Sequence, residues 1–414
     1  MKTLHPYLSP VNNKEIYAND VVTCIVKGAY NCLYISSLKG GVKELNLTSG
    51  KLRDLLLKDE DNESIYCRTL LFATDNELWI GTESGAYIYN LRTGKYTHLR
   101  SSEYDPYSLS DNAIYSFCKD REDGIWIGSY FGGVNYYPRS YTHFEKYYPK
   151  GEENSLHGKR VREFCRDNYG VLWIGTEDGG LNRFNLNTKE FSFFAPSAGF
   201  TNIHGLCLVD DKLWVGTFSK GLKIIDTRTG TVLKTYQKNS SPRSLIDNSI
   251  FAICRTATGD IYLGTMFGLV KYNKQSDDFD RIPELNGKFV YDIKEDSGGN
   301  IWLATYANGA YCYNVSEKKW KNYLHDKNNP KSLPYDKVSS IFEDSYHRIW
   351  LTTQGGGFCL FHPESETFTS YNSTDGLPSD VVYQIVEDKD GQLWLTTNNG
   401  LVYFQPKTET MKVY

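Results

Sequence analysis

Two acids, Glu163 and Asp292, fall inside runs that otherwise read as inner β-strands, and a convergent pair of carboxylates at one mouth is what glycoside cleavage requires. Each stands alone in a variable column, which favours a structural role over general acid and base work. The histidines at 5, 98, 143, 157, 204, 325, 347 and 362 show neither His-x-His nor His-Glu-x-x-His spacing, and no Cys-x-x-Cys pair occurs. Asp388-x-Asp390-Gly391 opens like a calcium loop but runs straight into a strand without a downstream Glu ligand, so it is expected to be a hairpin turn. Gly-x-Ser-x-Gly and Gly-x-x-x-x-Gly-Lys-Ser/Thr signatures are absent from the chain. No catalytic residue, metal site or cofactor is therefore assigned.

A second set of residues suits recognition. Tyr115, Arg162, Phe251, Tyr291, Ser339 and Tyr383 each stand eleven residues before an aromatic residue that recurs along the chain, and Tyr130-Phe131, Phe218, Met266-Phe267, Tyr306 and Gln354 follow the same landmark. Aromatic rings cover the apolar face of a pyranose while guanidinium and amide groups meet its hydroxyls. The candidate ligand-binding residues are Tyr130, Arg160, Arg162, Phe218, Tyr291, Tyr306, Gln354 and Tyr383. The competing reading of each is blade packing or contact with another domain, since most aromatics in such folds belong to the core.

The elements that must position these residues are repeats. Leu172-Trp173-Ile174-Gly175-Thr176 recurs as Leu78-Trp79-Ile80-Gly81-Thr82, Ile125-Trp126-Ile127-Gly128-Ser129, Leu213-Trp214-Val215-Gly216-Thr217 and Ile261-Tyr262-Leu263-Gly264-Thr265. It returns as Ile301-Trp302-Leu303-Ala304-Thr305, Ile349-Trp350-Leu351-Thr352-Thr353 and Leu393-Trp394-Leu395-Thr396-Thr397, and a worn copy at Leu33-Tyr34-Ile35-Ser36-Ser37 makes nine. Twelve residues before the motif aromatic stand Ile114, Val161, Ile250, Val290, Val338 and Val382, and nine before it Phe117, Phe164, Ile253, Ile293, Ile341 and Ile385. These β-branched and aromatic columns predict an inner strand. Asp123-Gly124, Gly298-Gly299 and Asp390-Gly391 then predict a tight turn into the motif strand, whose two apolar faces must both be covered. A third strand such as Leu181 to Asn185 follows, then a fourth marked by Phe144, Phe191, Trp320 or Phe368. Cys118, Cys165 and Cys254 share one packing column, which predicts free, buried thiols in place of a disulfide framework.

Four short antiparallel strands every 40 to 48 residues are the signature of an all-β propeller of four-stranded blades. Known rings close with about four to eight blades, so nine repeats predict one seven-bladed ring at residues 106–414 and two blades at 1–105 from a preceding propeller. Met1 to Tyr7 read as an orphan fourth strand, as though the chain were cut from a longer array, and Asp59-Glu60-Asp61 as a solvated loop.

The net charge of −4 and pI near 6.1, with no Lys/Arg block, leave no footprint for nucleic acid or an anionic membrane surface. No apolar run is long enough to span a bilayer, and the start lacks the apolar stretch of a signal peptide.

The run Asp-x-x-Gly-x-Leu-Trp-Ile-Gly-Thr-x-x-Gly-Gly-Leu-x-Arg-Phe-Asn from Asp167 to Asn185 resembles the two-component regulator propeller repeat. The connections Tyr107 to Asn112 and Asn328 to Leu333, and the pattern Asp375 to Tyr383, share the resemblance. That family builds the extracytoplasmic sensors of Bacteroidetes hybrid two-component systems, with two seven-bladed propellers before a β-sandwich, a membrane helix and a histidine kinase. The resemblance implies a periplasmic sensor region that binds an oligosaccharide, makes no membrane or nucleic-acid contact itself, and works as a homodimer in the full-length receptor. The chain departs from that plan in having too few repeats for two rings and no kinase motif. A carbohydrate-active propeller enzyme and a protein-interaction platform are the alternatives.

Overall fold

The computed structural model describes residues 16, 20–59, 62–105, 107–139, 144–151, 154–194 and 200–414. Met1 to Tyr7, and the Glu60-Asp61 half of the acidic loop, lie outside them. The chain is all-β: nine antiparallel sheets follow one another, eight of four strands and one of three among the described residues. Each is a simple meander in which neighbouring strands pair in chain order, as the repeat predicted. We number these sheets as blades 1 to 9. Their first strands are Val22–Lys27, Cys67–Thr74, Ile114–Lys119, Val161–Arg166, Ile203–Val209, Ile250–Arg255, Val290–Glu295, Val338–Glu343 and Val382–Glu387.

The chain divides into two compact units, residues 1–151 with blades 1 to 3 and residues 152–414 with blades 4 to 9. The division expected at residue 105 concerns which blades share a ring, a property that compactness alone does not assign. Within each unit the first strands of successive blades lie side by side, so the first strand is the inner one.

In five blades the motif tryptophan is pinned by an acid six residues before it. The indole N–H groups of Trp126, Trp173, Trp302, Trp350 and Trp394 donate to Asp120, Asp167, Asp296, Asp344 and Asp388 over 3.0, 2.9, 2.9, 2.8 and 2.9 Å. The other carboxylate oxygen closes the turn. Asp344 Oδ1 accepts from the backbone N–H of Tyr346 and Arg348, and Asp388 Oδ1 from those of Asp390 and Gln392. The calcium-like sequence is thus the hairpin turn it was expected to be. Blade 6 carries Tyr262 in place of Trp and Thr256 in place of Asp, while blades 2 and 5 keep Trp79 and Trp214 with Ala73 and Leu208 at the acid's position, and the Trp79 indole donates to Glu77 instead, over 2.8 Å.

At the other end of the motif strand the hydroxyls of Thr176, Thr217, Thr305 and Thr353 donate to the carbonyls of Gly180, Gly221, Gly309 and Gly357 over 3.0, 2.8, 2.6 and 2.9 Å. Gly309 has φ +71°, and a Cβ there would collide with the Tyr323 carbonyl. The motif glycine has a different role. A Cβ on Gly175, Gly216 or Gly264 would lie 2.6, 2.8 or 2.7 Å from Ile203, Ile250 or Val290, the first inner-strand residue of the next blade. Blades are further latched by Glu295, Glu343 and Glu387, which accept the backbone N–H of Ala257, Ser297 and Ser345 in the preceding blade over 2.6, 2.8 and 2.8 Å.

The core lies between blades. Trp350, Phe358 and Tyr371 of blade 8 form one buried cluster with Val382, Ile385, Leu395 and Phe404 of blade 9. Three expectations need correction. Trp126 is 44% exposed, so the motif strand of blade 3 is not covered on both faces. Phe144 lies in no strand, and blade 3 has no fourth strand among the described residues. All nine cysteines are free, but of the column predicted to be buried Cys118 is exposed and Cys165 and Cys254 are only half-buried.

Asp344 is buried with four donors on its carboxylate, including Arg348 Nε at 2.7 Å. Asp344→Ala strands a buried indole and two turn amides and is expected to cost about 3 kcal/mol. Asp388→Ala, beside a partly exposed Trp394, is expected to cost less. Urea unfolding of both variants checks the ranking, and equal losses would contradict it.

Candidate functional site

Every inner strand carries a β-bulge at the same place, where one residue is skipped in the pairing with the motif strand. In blades 4 to 9 the skipped residues are Arg162, His204, Phe251, Tyr291, Ser339 and Tyr383. A bulge frees a side chain from the alternation of the pleat and re-aims it. This is the column whose identity varied in the sequence, flanked by residues that hardly change. In the unit 1–151 the equivalents are Thr23, Arg68 and Tyr115.

The start of the inner strand and the loop after the motif strand share one end of each blade. Backbone bonds from Phe218 N to Asn202 O, Tyr306 N to Phe289 O and Gln354 N to Lys337 O fix that neighbourhood at 3.0, 3.1 and 2.9 Å. In the unit 152–414 the rings at this end form a continuous chain. Phe218 lies 5.8 Å from His204 and His204 4.5 Å from Phe251. Phe251 lies 4.4 Å from Phe289 and stacks on Tyr291 at 5.9 Å. Phe289 in turn lies 5.6 Å from Tyr291 and stacks on Tyr306 at 5.3 Å. The Arg162 guanidinium of blade 4 sits 4.5 Å over the Tyr291 ring of blade 7, and Lys337 Nζ 4.0 Å over Tyr306.

The two inner-strand acids sit one residue past the bulge, opposite the motif glycine or its replacement: Glu163 pairs with Gly175 and Asp292 with Ala304. Asp292 accepts the N–H of Ile293 at 2.8 Å and that of Ile341, on the next blade, at 3.0 Å, which ties blades 7 and 8 together. Glu163 accepts the N–H of Phe164 at 3.1 Å. Both keep some solvent-accessible surface yet are hemmed in by protein. Burial, with the Asp292 charge adding to it, pushes the Glu163 carboxyl up to about 8, and burial likewise raises Asp292. His204 is 6% exposed, and burial with the nearby Arg162 charge lowers it to about 4, so it is neutral at pH 7. Its Nδ1 and the hydroxyl of Ser339, itself 4% exposed, have no hydrogen-bond partner among the described residues.

Of the residues singled out from sequence, Arg162, Phe218, Tyr291 and Tyr306 fall in this ring chain. Tyr383 is the bulge residue of blade 9, where its hydroxyl donates to Asn398 at 3.2 Å, and Gln354 bridges to Val381. Arg160 lies at the rim, largely exposed, with Nη1 4.0 Å from Glu177. Tyr130 belongs to the other unit, stacked on Tyr115 at 5.1 Å. Sequence reasoning missed His204, Phe289 and Lys337. The turn Asp210-Asp211 is one residue shorter than its counterparts, so His204 stands ten residues before its Trp and slips out of the column. A groove of about 900 Å³ lies at the opposite end of blades 5 and 6, where Lys234–Asp277, Arg255–Asp210 and Lys271–Asp260 pair its charges. Among the described residues no cluster of His, Cys, Asp or Glu could hold a metal, and no helix is long and apolar enough to cross a membrane.

Comparison with known proteins bears on this architecture. Residues 108–131, 155–178, 284–307, 332–355 and 376–399 match the family described as two component regulator propeller, and the chain carries that repeat. "Histidine kinase P4" of Formosa agariphila is 27% identical over 176 residues, 40% of this chain and 12% of the kinase. Among solved structures, the extracellular domain of the hybrid two component system BT3049 from B. thetaiotaomicron is 23% identical, with TM-score 0.46, over 99% of this chain and 59% of that one. PorZ, a surface component of the type-IX secretion system of Porphyromonas gingivalis, is 14% identical with TM-score 0.50, over 95% and 57%. The chain thus spans well under two thirds of these relatives.

The Glu163 carboxyl binds its proton more tightly in the folded protein than in the unfolded chain, where its value is 4.5. Its contribution is therefore intact below pH 4.5 and is lost as pH rises to about 8. Glu163→Gln is expected to be as stable as wild type at pH 4.5 and more stable at pH 8.5, by about 1–3 kcal/mol once solvent screening of the half-buried carboxylate is counted. Melting curves across that range check it, and a gap that stays constant with pH would contradict it.

Proposed function

We propose that this chain is a sensing region of an extracytoplasmic two-component receptor that binds an oligosaccharide, in the periplasm, and relays its presence to a histidine kinase. The observation that carries the reading is the ring chain from Phe218 to Tyr306, aromatic faces at one end of blades 5 to 7 with Arg162 across it. Pyranose rings stack on such faces, and Tyr306 and Phe218, both exposed at this end, offer them. The repeat match and the histidine kinase relative support the receptor context. The site acts by binding: Asp292 spends both carboxylate oxygens on backbone N–H groups, which leaves it poorly placed to act as the partner acid or base of Glu163.

Signalling then follows from differential affinity. A ligand that prefers one arrangement of sensor domains in a receptor homodimer shifts the equilibrium by no more than that preference. Titration calorimetry against a library of plant and algal oligosaccharides is expected to give binding without turnover. Tyr291→Ala and Tyr306→Ala are each expected to weaken it about tenfold, the worth of a lost stacking face. Release of shortened products would make the protein an enzyme, and unchanged affinity in both variants would move the site elsewhere.

A further inference from the structure

The two cations of the site are held over aromatic rings. The Arg162 guanidinium makes no hydrogen bond or ion pair with a described residue; it lies 4.5 Å over the Tyr291 ring, and its charge is felt by the nearby Glu163, Asp292 and His204. Lys337 Nζ likewise has only the Tyr306 ring, at 4.0 Å. Between those rings lies Phe289, 5.6 Å from Tyr291 and 5.3 Å from Tyr306. Blade 7 and its following loop thus present a three-ring platform, with a guanidinium from blade 4 over one end and an ammonium from the segment entering blade 8 over the other. Both cations are half-buried. Arg183 over Trp173 and Lys223 over Phe200 are held likewise, whereas Arg243, Arg348 and Lys271 pair with Asp278, Asp344 and Asp260.

A cation over a ring gains about 0.5–1 kcal/mol at an accessible site, while a hydrogen-bonded cation–anion contact is stronger and directional. A ring contact uses the face of the guanidinium and leaves its in-plane N–H donors unspent. The nearby acids do not use them: Asp292 is committed to Ile293 and Ile341, and Glu163 faces Phe164 N with its carboxyl largely protonated at neutral pH. The platform suits a sugar face, and the open cations beside it suit a negative substituent on that sugar.

We infer, on the premise that the site takes an oligosaccharide, that the ligand is an anionic one, with its carboxylate or sulfate substituents bound by Arg162 at one end of the platform and by Lys337 at the other while its sugar rings lie along the platform between them. Uronic acids and sulfated sugars share this chemistry, and matched probes separate them.

Calorimetry at 50 mM salt would compare a panel of uronic-acid oligosaccharides with their methyl esters, a panel of sulfated oligosaccharides with their desulfated forms, and a panel of neutral oligosaccharides. An acidic member is expected to bind, with its esterified or desulfated counterpart at least about tenfold weaker. Arg162→Met and Lys337→Met are each expected to weaken the acidic ligand about tenfold, Arg162→Lys to retain part of the affinity, and raising salt to 500 mM to weaken it in wild type. Circular dichroism confirms that each variant folds. If neutral sugars bind as well as their acidic counterparts, or the Met variants bind the acid unchanged, this inference fails and the oligosaccharide reading stands. If no glycan in any panel binds, the oligosaccharide reading fails and this inference with it.

Discussion

The hydrogen bond between the motif indole and the carboxylate six residues upstream is the constraint on which the rest depends. One aspartate closes the hairpin with one oxygen and holds the tryptophan with the other, so the inner strand, its turn and the motif strand are fixed as a unit. An indole N–H buried without an acceptor would be costly, and the acid supplies it from within the same blade. Blades can therefore pack their tryptophans against the next sheet without asking the neighbour for a polar partner. Where the acid is missing the arrangement changes: Trp79 donates to Glu77 of its own strand, and at Tyr262 the indole is gone altogether.

With the hairpin fixed, contact between blades becomes a question of clearance. The motif glycine lets the first β-branched residue of the next inner strand sit against bare backbone, and the glutamates at the turns add a bond from blade to blade. The bulge is where this regularity is released. Pairing resumes on both sides of the skipped residue, so its side chain can change from Arg162 to His204 to Phe251 without disturbing the sheet. Scaffold and recognition are separated within one strand, one residue apart.

Much of this was legible in the chain. The nine repeats, the order of strands and the inner position of the first strand followed from columns of β-branched residues at fixed distance from the motif aromatic. The variable column was visible as well, and Arg162, Tyr291 and Tyr383 were found there. Other parts were hidden for physical reasons. His204 escaped because a turn shortened by one residue shifts its offset, while pairing, which counts hydrogen bonds and not residues, keeps it in register. Phe144 and Trp126 match their columns in sequence, yet exposure is set by what lies alongside, and that is not written in the repeat.

By itself the sequence determined the blade: its four strands, its turn, its pinned tryptophan and the glycine that admits the next sheet, because each is a local relation between residues close along the chain. Only the tertiary structure decided which variable residues meet. Arg162 and Tyr291 belong to blades separated by two others, and no periodicity of the chain states that one crosses to the face of the other. That contact depends on how far each successive sheet is turned from the last, a sum of small packing angles to which every blade contributes and no single motif records.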